Sequence, residues 1–575
     1  MNVSSLRHSQ LFLMIVAALA WSVASGSNSA VAQSTNRQIG TQYTVTADPV
    51  VPRPPEKPCI VQLFSDYQFA LFSESTQTFN FAPPKECSGP WDKVVLEVDF
   101  SENAGIQFDR TASLYIANTN LYFGTTPEPL QTVTNTWHVE RDVTDYSALL
   151  TAPQQGTMVL QNCTSSDCGS SYSYLNGIFT VNAELEFYPA KNGGWNRTTE
   201  VPDAVLPMVQ TTSTGGINLP AFLFPPPPAD NNELTTTFTL PKNIERAYLD
   251  VVSQSQSNDE QWYACFPNDL SAINLVYGCG NTDFRETEIA IDGQPAGLAP
   301  VSPWVFTGFL PDQWVPAPAA QTLDFVPYRV NLTPFAALLS DGNPHTVGMS
   351  VFDNDSYFSV TGSLLLYLDK DSKQITGKLT EDTLTNPSPV VKENLKGTST
   401  VTGTIGVTQN RDYTIAGYVN TSHGKVSTSI SAQQRFSSTQ TIDFDTVNFT
   451  VLDQITAVHN SVASTTRVSS RQGTFTTDEN FSFPITVDLT LPVSNSEFGL
   501  TVATTQNYQS GKQVFLDGFP VYFNYTNNSV QGSDVSPAAS AQHYVHFDSR
   551  GAFYDCQIAS KNNTLTTVSH GCDQP

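Results

Sequence analysis

Residues 106–116 read IQFDRTASLYI, and within them Asp109 and Arg110 set a carboxylate beside a guanidinium in a chain where only 14% of residues are charged. A held carboxylate can orient and deprotonate water, and a neighbouring cation can offset charge on a carbonyl oxygen under attack. Together these are parts for hydrolysing an unreactive bond such as an amide. The same two residues can instead be an exposed ion pair at a strand end, worth about 0–1 kcal/mol. From Arg110 onward the stretch alternates, Ala112, Leu114 and Ile116 against Thr111, Ser113 and Tyr115, with the period of a β-strand. Neighbours on a regular strand face opposite ways. Both charged groups reach one substrate only if residues 108–110 form a bulge or loop.

Further candidates lie beyond this pair. In DEQWY (residues 259–263), Asp259 and Glu260 precede Trp262 and Tyr263. Carboxylates beside aromatic faces suit a sugar site, though core aromatics behind a polar turn give the same pattern. Trp304 and Trp314 carry the same two readings. Glu128 in GTTPEP (residues 124–129) is a candidate second acid, while Glu140 and Asp142, two apart, read as a solvated face. No G-x-S-x-G, H-E-x-x-H or Gly-rich phosphate loop occurs, so serine-hydrolase, zinc-hydrolase and nucleotide chemistries have no support. No metal or other cofactor is expected. The eight cysteines lack zinc spacing and fall into neighbouring pairs, Cys59 with Cys87, Cys163 with Cys168, Cys265 with Cys279 and Cys556 with Cys572, which suggests local disulfides and an oxidising compartment.

The elements that must position these residues are strands. Short alternating runs such as KVVLEVDF (93–100), FTVNAELEFYP (179–189), RAYLDVVSQS (246–255) and GSLLLYLD (362–369) dominate the 575 residues, and sustained helical periodicity is nearly absent. The expectation is an all-β chain: two antiparallel, jelly-roll-like sandwiches over 45–190 and 205–370, side by side, and a C-terminal β-region over 371–575. An internal echo supports duplication, because WHVERDVTDYSALL (137–150) and PYRVNLTPFAALL (327–339) share a pattern and each precedes an alternating strand. Arg7 and His8 precede an apolar run over 11–24, and AVA at 30–32 suits a cleavage site, so residues 1–32 read as a secretory leader. Ten Asn-X-Ser/Thr sequons follow, at Asn162, Asn196, Asn331, Asn354, Asn420, Asn448, Asn480, Asn524, Asn527 and Asn562, as in a secreted glycoprotein. With 53 acidic against 27 basic residues, nucleic acid is excluded as the main partner, and no membrane association is expected once the leader is removed. That charge also fits an acidic medium.

FDRTASLYI, GTTPEP and WHVERDVTDYSALL, followed by LPKNIERAYLDV (240–251), DEQWY, FRETEIAIDGQPAG (284–297), WVFTGFLPDQW (304–314) and DGNPHTVGMSV (341–351), resemble the plant peptide-N-glycosidase A family, the peptide-N4-(N-acetyl-β-glucosaminyl)asparagine amidases. A fainter likeness is to the bacterial peptide-N-glycosidase F, two jelly rolls with the active site at their junction. The resemblance implies hydrolysis of the amide joining asparagine to N-acetylglucosamine in glycopeptides or glycoproteins, with Asp109 as the main catalytic group and Arg110 assisting substrate binding. It also implies that the chain can be cut into two subunits. On this reading Asp259, Glu260, Trp262, Asn281, Arg285 and Trp304 form the substrate-binding set. Two departures stand out: Phe108 replaces a tryptophan, and an acid four residues ahead of Arg285 is replaced by Asn281. A glycan-binding sandwich without catalysis is the alternative that the second departure keeps open.

Overall fold

The structure is a computed structural model describing residues 40–41, 44–128, 132–190, 200–225, 232–271, 279–305, 318–447, 450–490, 501–534, 538–562 and 564–573. The expected leader, sequons Asn196 and Asn448, and Trp314 lie outside the described residues. Among those described, no helix is long and apolar enough to cross a membrane. The fold is all-β, as the alternating runs require.

The first sandwich comprises β1 (Cys59–Phe69), β2 (Thr76–Phe81), β3 (Trp91–Glu102), β4 (Thr111–Ile116), β5 (Thr119–Thr125), β6 (Asn135–Asp142), β7 (Gln154–Leu160) and β8 (Phe179–Pro189). Its two antiparallel sheets run β1-β8-β3-β6 and β2-β7-β4-β5, the nested order of a jelly roll. Alternating residues from both sheets, including Leu96, Val98, Leu114, Tyr122, Met158 and Leu185, fill the space between them.

The second sandwich repeats this order. Its strands are β9 (Ala204–Pro207), β10 (Ala221–Leu223), β11 (Glu233–Thr239), β12 (Ile244–Gln256), β13 (Glu286–Ile291), β14 (Gln294–Pro300), β15 (Tyr328–Asn331), β16 (Pro344–Val351) and β17 (Tyr357–Leu368). One sheet is β9-β17-β12-β15, with β10 also on β17, and the other is β11-β16-β13-β14. The echo in the sequence is thereby placed: it is β6 in the first sandwich and the corresponding β15 in the second, each followed by a short 3₁₀ or helical turn that leads to the next strand.

Beyond residue 375 a 12-stranded sheet is built from long hairpins, among them Thr400–Thr421, Gly424–Asp445 and Thr450–Ser470. Its inner residues Val407, Phe436, Val458 and Ile485 join the core of the second sandwich. Phe436 lies 5.0 Å from Phe284. Ser438 Oγ and Gln440 Nε2 donate to the buried Asp283 at 2.8 and 2.9 Å. The sheet therefore braces the chain just ahead of β13.

The two sandwiches are joined by directed bonds. Thr125 donates its N–H and hydroxyl to Thr322 O at 2.9 and 2.8 Å. Arg141 donates to Asp324 Oδ1 and Phe325 O, and Tyr146 to Asp250. At Gly124 a Cβ would come 2.1 Å from Leu323 O, so the glycine of GTTPEP permits this close approach. Phe123, Val252, Trp304 and Phe325 form an apolar plug in the seam.

Two groups of acids on the first sandwich could share an ion, Glu97 with His138 and Glu140, and Glu97 with Glu184 and Glu186. A cation from the chain is already there: Arg53 bonds Glu97 and Glu140 at 2.5 Å and Glu186 at 2.9 Å. Glu140 is consequently buried and held near pKa 2 by these bonds and by His138, against the cost of its burial. The solvated-face reading holds for exposed Asp142 and gives way at Glu140, because the chain around Arg53 covers it.

All four expected disulfides are present. The sequons are not equivalent. Asn420, Asn480 and Asn562 are exposed. Asn162 is buried and donates to Phe69 O and Gly177 O, and Asn354 is buried and donates to Leu223 O and Ser356 O. A glycan on either would displace these bonds. Peptide mapping after enzymatic glycan release in heavy-oxygen water is expected to label exposed sequons and leave Asn162 and Asn354 unlabelled.

Asp259 and Arg285 form a fully buried ion pair in the second sandwich at 2.8 Å. Arg285 also donates to Thr282 O, Phe284 O and Gly280 O, while the second Asp259 oxygen accepts the N–H groups of Asp355 and Ser356. Removing one partner strands a buried charge. Arg285→Ala is expected to cost about 3–5 kcal/mol, read as a lower urea midpoint.

Candidate active site

Asp109 and Arg110 precede β4 instead of lying within it, since the strand begins at Thr111. The facing conflict of a regular strand therefore does not arise. The loop is pinned on both sides. Arg110 N–H donates to Thr126 Oγ1 at 2.9 Å, and Thr126 N–H returns a bond to Arg110 O. Gln107 Nε2 donates to Cys163 O and Gly177 O, and its Oε1 accepts Arg110 Nη2 at 2.7 Å. The next residue, Thr111, reaches the second sandwich, donating to Gln254 Oε1 at 3.0 Å and accepting Gln256 Nε2 at 3.1 Å. Gln254 and Gln256 end β12, so the head of β4 and the end of β12 meet.

Three residues past Gln256 the chain passes Asp259 and then Glu260, and here the predicted set separates into two roles. Asp259 turns inward to Arg285. Trp262 is fully buried, 5.9 Å from Tyr263 and 6.4 Å from Phe436, so it is core packing and presents no face for a sugar. Trp304 is likewise buried, and its Nε1 donates to Ser255 Oγ at 2.9 Å. Ser255 Oγ in turn donates to Glu260 O at 3.1 Å. Asp259, Arg285, Trp262 and Trp304 are buried and frame the turn that carries Glu260. Asn281, half-buried with φ +62°, exchanges hydrogen bonds with Asn268 and donates to Asn354 O. It supports a loop and holds no acid position.

Glu260 is half-buried and faces the head of β4. Burial first, then the charge of Asp109 and more weakly that of Glu128, push its carboxyl up to about 8. Burial raises Asp109 to about 6, with adjacent Arg110 opposing. Glu128, reached by the Asp109 backbone N–H, rises to about 7 through burial and the Asp109 charge. Behind them Glu102, fully buried at the end of β3, is raised well above the ordinary range by burial and by Glu128. Both Glu102 oxygens and Arg110 Nε lack a hydrogen-bond partner.

Asp109, Glu128 and Glu102 around one guanidinium, with Glu260 under the charge of Asp109 and Glu128, cannot all ionise out of water, so they share protons. For each of Asp109, Glu128 and Glu260 the folded value lies above the free one. The stability given by the neutral forms is therefore full below the unfolded carboxyl range near pH 4 and is lost as pH rises through about 6 to 8. The arrangement favours mildly acid conditions. Chemically it offers a base of lower affinity for protons, Asp109, with the Arg110 cation beside it, and an acid of higher affinity, Glu260: a set for water activation and leaving-group protonation.

Cavities lie elsewhere, one of 490 Å³ on the C-terminal sheet beside Gln506, Gln542 and His543, and one of 960 Å³ beside Trp91, Glu200 and Lys370. Neither is lined by Asp109, Glu128 or Glu260. Sequence reading found Asp109, Arg110 and Glu260 and named Glu128. It missed Glu102, which ends an ordinary strand pattern and carries no local signal.

Compared with known proteins, residues 49–385 match the family described as peptide N-acetyl-β-D-glucosaminyl asparaginase amidase A. A peptide-N4-(N-acetyl-β-glucosaminyl)asparagine amidase A from Prunus dulcis is 30% identical over 392 residues, 65% of this chain and 65% of that protein's own length. Among solved structures, a peptide-N(4)-(N-acetyl-β-D-glucosaminyl)asparagine amidase overlaps with a TM-score of 0.36 at 13% identity, covering 54% of this chain and 96% of that one. PNGF-II overlaps with a TM-score of 0.35 at 14% identity, over 54% and 66%. The family match spans both jelly rolls and the seam that holds Asp109, Glu128 and Glu260, and the chain belongs to the peptide N-acetyl-β-D-glucosaminyl asparaginase amidase A family.

Proposed function

We propose that this chain is an amidase of N-glycopeptides or glycoproteins that hydrolyses the bond between the asparagine side chain and N-acetylglucosamine. The observation that carries the reading is the pairing, across the seam, of Asp109 from the first sandwich with Glu260 from the second, whose proton is held by burial and by the charge of Asp109. The ionised Asp109 takes a proton from water as its oxygen attacks the amide carbon. The oxyanion that forms is offset by Arg110, whose guanidinium lies within the same charge cluster. Protonated Glu260 delivers its proton to the amide nitrogen, and the carbon–nitrogen bond breaks. Aspartate remains in the peptide, and the glycosylamine that leaves then loses ammonia. Glu128 and Glu102 keep the cluster short of full ionisation. We take residues 45–190 and 205–370 as the catalytic pair, 371–575 as its brace, and the working compartment as extracellular; the four disulfides are compatible with a secretory route. Cleavage into two chains that stay associated is part of the same proposal.

Incubation with an N-glycopeptide and weighing of the peptide tests the reaction: asparagine becomes aspartate, about one mass unit heavier, whereas a glycosidase leaves sugar on asparagine and a lectin changes nothing. Asp109→Asn is expected to keep fold and binding and to lose about 10²–10⁴-fold in kcat, the usual share of a positioned acid–base. Wild-type turnover from that variant would remove Asp109 from the mechanism.

The rate should follow a bell in pH, rising as Asp109 ionises near 6 and falling as Glu260 ionises near 8. In Glu260→Gln the alkaline limb is expected to disappear and the acid limb to stay near pH 6, because burial raises Asp109 and Glu260 is already neutral where Asp109 ionises. An alkaline limb that persists in that variant would remove Glu260 as the acid.

A further inference from the structure

Beside the acids stands a row of rings that the reaction does not use. Phe108, Tyr172 and Tyr174 are 37%, 46% and 49% exposed, among the few aromatic rings of the described residues that are. Phe108 meets Tyr172 edge-on at 6.1 Å, and Tyr172 lies 6.4 Å from Tyr174. Phe108 is bonded to Asp109 in the chain and has the Arg110 guanidinium 5.8 Å from its centroid. The row therefore begins at the catalytic carboxyl and leads away from it.

These rings are exposed but not loose. The Cys163–Cys168 disulfide closes the preceding turn. Leu175, 1% exposed, plugs the core next to Tyr174, and its N–H donates to Tyr172 O at 3.0 Å. Asn176 and Gly177 donate their N–H groups to Ile106 O, and Asn176 Oδ1 accepts Ile106 N–H. Gln107 ties the same two segments together through Cys163 O. The loop of Phe108 and the loop of Tyr172 and Tyr174 are thus one fixed platform.

We infer that this platform is the subsite for the oligosaccharide beyond the sugar attached to asparagine, with successive pyranose rings lying over Phe108, Tyr172 and Tyr174. Pyranoses present apolar C–H faces and hydroxyl rims. Aromatic faces with free phenol groups, flanked by exposed Ser170, Ser171 and Ser173, match both. A peptide arm is a poorer occupant, because residues 165–177 form turns and 3₁₀ segments with no strand edge to pair a backbone. The sugar bonded to the scissile amide must sit at Asp109, so the remaining sugars extend along the row. This inference rests on the amidase reading for its orientation, while the binding itself can be measured without turnover.

The test uses the full chain carrying Asp109→Asn, titrated calorimetrically with a glycopeptide bearing an intact oligosaccharide and with the same peptide trimmed to one N-acetylglucosamine. Adding Tyr172→Ala and Tyr174→Ala is expected to weaken binding of the intact glycopeptide about ten-fold or more and to leave the trimmed one within about two-fold. Tyr172→Phe with Tyr174→Phe should restore most of the loss, since the ring faces remain. Unchanged affinity for the intact glycopeptide overturns the subsite, as does an equal loss on both ligands, which would give the rings to the peptide arm. Peptide mass after incubation with the unmutated chain is read in parallel. Ring-dependent binding without turnover would sink the amidase reading and leave the platform standing, and turnover with ring-independent binding would do the reverse.

Discussion

The proposed chemistry depends on carboxyl groups held together away from bulk water at a seam between two sandwiches. Coulomb repulsion that water would screen to about 1 kcal/mol at contact distance becomes several times larger in such a setting. Asp109 and Glu260 belong to different sandwiches, so the repulsion between them must be resisted by whatever joins those sandwiches. The bonds around Thr125, Arg141, Tyr146 and Thr111, and the plug of Phe123, Val252, Trp304 and Phe325, supply that resistance. A looser seam would let the acids separate, ionise independently and lose the division into base and acid.

Duplication makes the specialisation visible. In both sandwiches an acid at or just after the end of one strand faces an arginine immediately before the corresponding next one: Glu102 after β3 and Arg110 before β4 in the first, Asp259 after β12 and Arg285 before β13 in the second. Both arginines also reach a disulfide sulfur, Arg110 that of Cys163 at 3.8 Å and Arg285 that of Cys265 at 3.7 Å. In the second sandwich the pair is closed and every guanidinium direction is used, which makes it a structural lock. In the first, Glu102 and Arg110 retain unbonded polar atoms, and Asp109 and Glu128 crowd the same cation. One topology thus yields a rigid strut on one side of the seam and a reactive cluster on the other.

The remaining parts act as bracing. The C-terminal sheet grips Asp283 and packs Phe436 against Trp262 and Phe284, so the turn bearing Glu260 is backed by a third body of strands. Near the N-terminus, Arg53 neutralises three glutamates of the first sandwich, and Tyr554 and Gln542 of the C-terminal sheet bond Ala47. Residues 44–53 thereby tie the first sandwich to the last sheet.

The all-β class, the duplicated halves, the local disulfides and the adjacency of Asp109 and Arg110 were all legible in the chain, because each is written in short-range pattern: period-two alternation, a repeated turn, close cysteine spacing, a fixed dipeptide. Glu260 was legible as an acid beside aromatics, but not its separation from Asp259, since two neighbours on a turn point to different surroundings. Trp262 and Trp304 looked like sugar platforms because residue type reports an aromatic face and not what covers it; the C-terminal sheet covers one and the seam the other. Glu102 and the exposed row of Phe108, Tyr172 and Tyr174 were decided by tertiary structure alone. Burial and mutual charge arise from segments far apart in sequence brought within contact, and no local pattern encodes that distance.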